Sequence, residues 1–356
     1  MLFLSLLSLC FADKTVETQE LESRYIAGLL FLNEENYEAA FKCFKTLAEQ
    51  NYAPAQFNLG LMYSNGDGIQ VDKKQAFYWY TKAAEQDFAK AQFNLGLMYY
   101  DGEGTLPDKN RAFYWFTKAA EQDYVPAQFN LGVMYSNGEG TPVDKNRAFY
   151  WYTKAAEQRN APAQWYIACM YYDGEGTPVN KKQAFYWFTK AAEQDDAKAQ
   201  YNLAAMYYAG EVTPIDKKQA FYWYTKAAEQ NYAPAQNNIG LMYYDGEGTL
   251  TDKKQAFYWF TKAAEQDYVP AQFNLGLMYY DGEGTPVNKK QAFYWFTKAA
   301  EQDDAKAQFN LGVMYYLGDG TLPDKKKSAH WIKKSYENGY EEAKEFWNKY
   351  ELWEYQ

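Results

Sequence analysis

Residues 55–86 read AQFNLGLMYSNGDGIQVDKKQAFYWYTKAAEQ, and this stretch decides the fold because it returns along the chain with little change. Its first six letters, AQFNLG, recur every 36 residues through eight copies, three of which are close variants. Self-similarity at a fixed period of this length is typical of one supersecondary unit stacked into a solenoid. Such an array has no single core around a deep cleft, and it presents one long surface instead. The copies begin at Ala55, Ala91, Ala127, Ala163, Ala199, Ala235, Ala271 and Ala307.

Each copy predicts two helices joined by a turn. In the first copy, the apolar spacing of residues 55–63 predicts a short amphipathic helix. The sequence SNGDG at 64–68 then ends it, because its two glycines permit the positive φ angles of a tight connection. Asp72 is a suitable N-cap for a second helix over residues 73–86. The sequence therefore predicts an all-α solenoid of stacked helix-turn-helix repeats.

One copy carries Leu59-Gly60, Tyr63, Gly66, Gly68, Asp72, Ala76, Trp79-Tyr80 and Ala83-Ala84-Glu85-Gln86. This pattern resembles the Sel-1-like repeat, a relative of the tetratricopeptide repeat. The resemblance implies a right-handed α/α superhelix that works as an adaptor between proteins. The family also includes secreted bacterial proteins, some described as penicillin-binding or β-lactamase-like, which typically carry a Cys pair in each repeat that this chain lacks. A hydrolase of that kind is the alternative function.

The repeat pattern also predicts the domain boundaries. A shorter unit at 23–54 precedes the array and resembles an ordinary tetratricopeptide unit, because its interhelix loop is four residues shorter. Residues 343–356 start another first helix and then stop, which predicts a C-terminal capping helix. The eight full repeats are predicted at 55–90, 91–126, 127–162, 163–198, 199–234, 235–270, 271–306 and 307–342.

Residues 1–12 predict a signal peptide. The run from Leu2 to Ala12 is apolar and uncharged, and Asp13 follows it at once. Eleven residues are too few to span a bilayer, but they suit the apolar region of a secretory signal. Cys10 and Ala12 fit cleavage after Ala12, with lipid attachment at Cys10 as an alternative. We therefore expect an exported protein, periplasmic or secreted, with no membrane span once the leader is removed.

Composition limits the possible partners. The net charge is −10 and no stripe of Lys and Arg stands out, which argues against nucleic acid. Aromatic residues make up 20% of the chain, far more than a disordered protein carries. We therefore expect a scaffold or adaptor that binds one or more protein partners. A structural spacer of the cell envelope is a second alternative.

The sequence predicts no catalytic residue, no metal site and no cofactor. His330 is the single histidine, so no histidine pair can bind a metal. No Ser is followed three residues later by Lys, so the Ser-x-x-Lys of penicillin-recognising enzymes is absent. Without the leader only Cys43 and Cys169 remain, about three and a half repeats apart, which is too far for a disulfide.

The candidate protein-binding residues occupy one position of the first helix. This position lies about 200° from Ala55 on a helical wheel, which predicts that it points away from the second helix. An aromatic-lined groove is one interpretation, and packing against the next repeat's first helix is the other. Change concentrates in the middle copies, where Cys169 also departs from the pattern. The candidates are Phe57, Phe93, Phe129, Trp165, Cys169, Tyr201, Asn237, Phe273 and Phe309.

A second series lies on the polar side of the second helix. An exposed tyrosine row would suit an interface, because the tyrosine side chain has an apolar body and a polar tip. The alternative is that lysine stems cover the rings. The series is Tyr78, Tyr114, Tyr150, Tyr186, Tyr222, Tyr258 and Tyr294, with His330 in the last copy.

The array also records a duplication. Residues 171–200 and 279–308 are identical, and they lie three repeats apart. A block of three repeats was therefore duplicated. An adjustable array length suits a multivalent binder or a spacer better than an enzyme.

Overall fold

A computed structural model describes the backbone of residues 2–355 and the side chains of residues 18–355. Over residues 2–355 the chain forms nineteen α-helices and one short 3-10 helix, with no β-strand. The predicted fold class is confirmed. The predicted signal peptide at 1–12 lies outside the residues whose side chains are described, so its cleavage stays a prediction.

The helices alternate along the chain between two kinds. The odd-numbered helices α3 to α17 carry the AQFNLG segment and are called helices A, and the even-numbered helices α4 to α18 are called helices B. Their bounds are as follows: α1 Leu2–Asn33, α2 Tyr37–Glu49, α3 Ala53–Asn65, α4 Lys73–Ala84, α5 Ala89–Asp101, α6 Lys109–Glu121, α7 Val125–Asn137, α8 Lys145–Glu157, α9 Ala161–Asp173, α10 Lys181–Ala192, α11 Ala197–Ala209, α12 Lys217–Glu229, α13 Ala233–Asp245, α14 Lys253–Ala264, α15 Val269–Asp281, α16 Lys289–Glu301, α17 Ala305–Leu317, α18 Lys325–Glu337, α19 Glu342–Lys349 and the 3-10 helix Leu352–Tyr355.

The chain divides into two compact units, residues 1–179 and 180–356. In the first unit α1 pairs with α2, α3 with α4, α5 with α6 and α7 with α8, and each helix B also contacts the next helix A. The second unit repeats this arrangement from α10 to α18. There the chain ends with α19 and the 3-10 helix, both of which pack against α18. Each unit is thus a stack of helix pairs.

Small residues allow the helices of a pair to approach closely. On α3, Gly60 lies so near α4 that an added Cβ would sit 2.7 Å from the Tyr80 ring. Ala76 and Ala83 on α4 are fully buried, and Tyr80 is only 3% exposed. Glycine and alanine therefore make room for one large ring per repeat, as close packing requires.

The helix ends follow the local sequence. The Asp72 side chain accepts hydrogen bonds from the backbone N–H groups of Lys74 and Gln75, which confirms the predicted N-cap. Gly66 ends α3 with a φ of 85°, a left-handed conformation that favours glycine. Helix α3 begins at Ala53, two residues before the predicted start, because Pro54 is well tolerated in a first turn.

Candidate binding surfaces on helices A

A ladder of hydrogen-bonded glutamines joins consecutive repeats. Gln56 is 2% exposed, and its Nε2 donates a hydrogen bond of 3.1 Å to the carbonyl of Ala48 on α2. Its Oε1 accepts one of 2.6 Å from Nε2 of Gln86, after α4. The Gln56 amide therefore stabilises the stack from a buried position, while Gln86 at the other end of the bond is exposed. Sequence reasoning missed this role, although the glutamine of the AQFNLG segment is unchanged in all eight copies.

The candidate position represented by Phe57 is packed against a helix B. The centroid of the Phe57 ring lies 5.8 Å from that of Tyr80 on α4 and 5.4 Å from that of Phe88. The predicted orientation, away from the second helix, is wrong. Ala55 faces the preceding α2, in a cluster with Phe44. Helix A is covered on two sides, so a residue on the side opposite to Ala55 faces the helix B of its own repeat.

The other candidates are half-buried or buried as well. Phe93 contacts Phe116, Phe129 contacts Tyr152, and Tyr201 contacts Tyr224. Phe273 contacts Phe296, and Phe309 contacts Phe346. Trp165 packs edge-on against Tyr166, Cys169 is half-buried outside any disulfide, and Asn237 is 5% exposed with its side-chain carbonyl bonded to Asn274. Direct contact of these residues with a partner stays a prediction.

The tyrosine row on helices B is exposed. Tyr78 is 48% exposed, and the other six tyrosines of the row range from 48% to 53%. The Tyr78 ring packs edge-on against Trp79, with centroids 4.9 Å apart, and Nζ of Lys82 lies 5.9 Å from its centroid. Lysine Nζ atoms lie over the rings of Tyr78, Tyr186 and Tyr258 at the same 5.9 Å, so lysines cover these rings in part and about half of each tyrosine stays exposed.

A cavity opens between successive helices A in each unit. Groove 1, in the first unit, has a volume of about 310 Å³. Groove 2, in the second unit, has a volume of about 230 Å³. The lining of groove 1 is Leu97, Tyr100, Asp101, Phe116, Phe129, Asn130, Val133 and Met134. The lining of groove 2 is Tyr208, Tyr224, Asn238, Leu241, Met242, Asp245 and Glu247.

The two grooves occupy equivalent places in the repeat pattern. Five pairs of lining residues are separated by three whole repeats, which is also the spacing of the duplicated segments. Phe129, a member of the predicted candidate series, lines groove 1. The equivalent pairs are Tyr100 and Tyr208, Phe116 and Tyr224, Asn130 and Asn238, Val133 and Leu241, and Met134 and Met242.

Tyr100, which lines groove 1, contacts a glutamate and a lysine that lie outside the lining. The Tyr100 hydroxyl donates a hydrogen bond to Glu139, and Nζ of Lys109 lies 3.8 Å from the same carboxylate. The hydrogen bond to Glu139, with burial, raises the pKa of Tyr100 to about 12, so the phenol stays neutral at physiological pH. Because Glu139 belongs to the next repeat, this contact also fixes the distance between the two helices A.

Tyr208 makes the equivalent contacts at groove 2, where the glutamate, Glu247, also lines the groove. The Tyr208 hydroxyl donates to Glu247, and Lys217 forms a 2.6 Å ion pair with that carboxylate. The hydrogen bond from Lys217 lowers the pKa of Glu247. Deeper in the groove lie Asn238 and Tyr224, whose pKa is raised by burial. The equivalent aromatic residue of groove 1 is Phe116, which has no hydroxyl, so groove 1 is the more apolar of the two.

Among the described residues, no helix combines the length and apolar content needed to cross a membrane. Within the same residues, no group of three or more His, Cys, Asp or Glu side chains is placed to bind a metal ion.

Stacked helix pairs with grooves between successive helices A define a helical-repeat protein of the solenoid class. Comparison with known families agrees, because the Sel1 repeat matches nine segments of the chain. The chain therefore belongs to the Sel1 repeat family, whose repeats typically mediate protein binding. The match begins two residues before each predicted full repeat and includes the short first unit. The segments are 27–52, 53–88, 89–124, 125–160, 161–196, 197–232, 233–268, 269–304 and 305–340.

Two solved structures are similar over most of the chain. One is c5321, a protective antigen present in uropathogenic Escherichia coli strains, which displays the Sel-1-like repeat fold. It is 31% identical, with a TM-score of 0.68, over 90% of this chain and 79% of its own. The other is a Sel1 repeat protein from Oxalobacter formigenes, 32% identical with a TM-score of 0.67, over 86% of this chain and 89% of its own. A comparison with curated proteins found no match.

Proposed function

We propose that this protein is an adaptor that binds segments of partner proteins in the grooves between successive helices A. The observation that carries the proposal is the occurrence of the same kind of groove, at equivalent positions, in both units. The glutamine ladder holds the stack from within, so exposed groove residues such as Leu241 can contact a partner without weakening the repeat.

The grooves have the composition of a peptide-binding surface. Leu241 on the wall of groove 2 is 38% exposed, and Tyr208 at its edge is 40% exposed. Such sites combine apolar walls with a few fixed polar groups that orient the ligand. Here Tyr208 is fixed by its bond to Glu247, so little conformational freedom is lost when a partner binds.

We also propose that the adaptor works outside the cytoplasm. This part rests on the uncharged apolar run from Leu2 to Ala12. N-terminal sequencing of protein from the cell envelope should find a chain that begins at Asp13. A cytoplasmic protein that still begins at Met1 would contradict export and would leave the adaptor function unaffected.

Site-specific photocrosslinking tests the adaptor function. A photoreactive phenylalanine analogue is placed at Val133 in groove 1, at Leu241 in groove 2 and, as a matched control, at Tyr258 on the outer face of α14. We expect the two groove positions to crosslink to a partner protein in cells, because both line a cavity, and the control not to do so.

The other outcomes contradict the proposal. Crosslinks from Tyr258 alone would show that the outer tyrosine row is the binding surface. A lack of crosslinks at all three positions, in protein that folds normally, would favour the structural spacer.

A further inference from the structure

Four helices A end with an aspartate where a negative charge is unfavourable. Asp101, Asp173, Asp245 and Asp281 are the last residues of α5, α9, α13 and α15, and the last turn of each helix contains no basic residue. The C-terminal end of a helix carries a partial negative charge, so a carboxylate there is repelled and a cation is favoured. These aspartates therefore do not serve helix stability.

Two of these aspartates line the grooves. Asp101 belongs to groove 1 and Asp245 to groove 2. The nearby loop glutamates are neutralised, because Lys109 pairs with Glu139 and Lys217 with Glu247. None of the ion pairs formed by the described side chains includes Asp101 or Asp245. Each groove thus has one carboxylate outside the ion pairs of the protein.

The rest of each groove is suited to an aliphatic chain. In groove 1 the carboxylate lies beside Leu97 and Val133, and in groove 2 beside Leu241 and Met242. Lysine and arginine side chains combine an apolar stem with a charged end, and they bury the stem while the end stays near water. Cavities of about 310 and 230 Å³ have room for one such side chain, not for a folded element.

We propose that grooves 1 and 2 each bind a lysine or arginine side chain of an extended basic segment in a partner protein. The inference rests on the proposed adaptor function and adds the chemistry of the partner. In groove 1 the cation pairs with Asp101 while its stem packs on Leu97 and Val133. In groove 2 it pairs with Asp245 over Leu241. The net charge of −10 favours the approach of a basic partner.

Two labelled peptides test the proposal. The first is the fluorescein-labelled nonapeptide Gly-Ser-Leu-Lys-Ser-Leu-Lys-Ser-Gly, and the second has glutamate in place of both lysines. Binding to the purified protein is measured by fluorescence anisotropy and by titration calorimetry. We expect saturable binding of the lysine peptide at two sites per chain, and at least tenfold weaker binding of the glutamate peptide.

Aspartate variants distinguish peptide binding in the grooves from general charge attraction. Asp101→Asn and Asp245→Asn should each weaken binding at one of the two sites by about fivefold, the value of a single partly exposed ion pair. The matched control is Asp281→Asn, which removes the same charge from the same helix position outside the two grooves. It should change binding by less than about twofold.

Stability measurements exclude unfolding as the cause. All three Asn variants should melt at the same temperature as the wild type or higher, because each removes a charge that the helix end repels. In Leu241→Arg the protein places its own cation in groove 2, so one site should be lost while the fold persists, because Leu241 is 38% exposed.

Two results would overturn the inference. Equal binding of both peptides would show that the grooves do not select cations. If Asp281→Asn weakened binding as much as Asp101→Asn and Asp245→Asn do, the weakening would come from the overall charge of the protein and not from the grooves. Either result would leave the photocrosslinks from Val133 and Leu241 valid. A failed charge test is therefore distinguishable from a failed adaptor function.

Discussion

Single aromatic rings on helices B fill the space between neighbouring helices. Phe116 on α6 is 1% exposed, and an added Cβ on Gly96 of α5 would lie 2.7 Å from it. It also contacts the Phe93 ring. By contrast, Tyr114 on the same helix is 52% exposed. Phe116 is thus buried and Tyr114 exposed, although they are only two positions apart.

This contrast leads to a stability prediction. Phe116→Ala should lower the free energy of unfolding by about 3–5 kcal/mol, because it leaves a cavity between closely packed helices. Tyr114→Ala, the matched control on the exposed face, should change it by no more than about 0.5 kcal/mol. Urea titrations followed by circular dichroism measure both. A similar loss in both variants would show that the tyrosine row is part of the core.

For single residues, the sequence predicted the helix caps but not the direction of the Phe57 side chain. A cap depends on a few adjacent residues, so Asp72 could be recognised locally. A helical wheel gives only relative angles around one helix. It could not show that α3 is covered by both α2 and α4, which is why the ring of Phe57 meets Tyr80.

Among the secondary-structure elements, the loop between a helix A and its helix B packs against the preceding repeat. Gly104, in the loop after α5, has a φ of 70°, and an added Cβ would lie 2.2 Å from the carbonyl oxygen of Lys73 at the start of α4. Beside this contact, Lys73 also forms a 2.8 Å ion pair with Glu103, the residue before Gly104. The second glycine, which seven of the eight loops carry and Val212 replaces in the loop after α11, therefore serves stacking as well as turning.

The chain contains a control for the two roles of this glycine. Gly339 has a similar φ of 91°, but an added Cβ there would meet no atom within 4 Å. Gly339→Ala should therefore cost about 1 kcal/mol from backbone strain alone. Gly104→Ala should cost a further 1–3 kcal/mol, roughly the cost of overpacking, because α4 must move. Equal losses in thermal or urea unfolding would mean that the loop does not hold the repeats together.

The grooves themselves could not be predicted from the sequence. Their walls come from two consecutive helices A, such as α5 and α7, and their depth depends on the separation of those helices. That separation is set by contacts between residues far apart in the chain, as between Tyr100 and Glu139. The repeat period predicted one long surface, but it did not reveal the lining residues.

At the scale of the whole molecule, the duplicated segments allow a shorter array to be made without a new junction. Residues 171–200 are identical to residues 279–308, so deletion of residues 180–287 joins Val179 to Asn288 and restores the same local sequence. The deletion removes three whole repeats, and with them groove 2. Groove 1 remains.

In a repeat protein each unit contacts mainly its neighbours, so an in-register deletion preserves the kinds of contact that stabilise the stack. We expect the shortened chain to fold with unchanged helicity per residue and to bind one lysine peptide instead of two.

The matched control deletes residues 180–269, which shifts the register by half a repeat and places Val179 before Pro270. That variant should lose helicity, because a helix A would lie where a helix B must pack. Circular dichroism and titration calorimetry measure these outcomes. Two peptides bound to the in-register variant would contradict the assignment of the second site to groove 2, and unfolding of that variant would show that the array depends on contacts beyond neighbouring repeats.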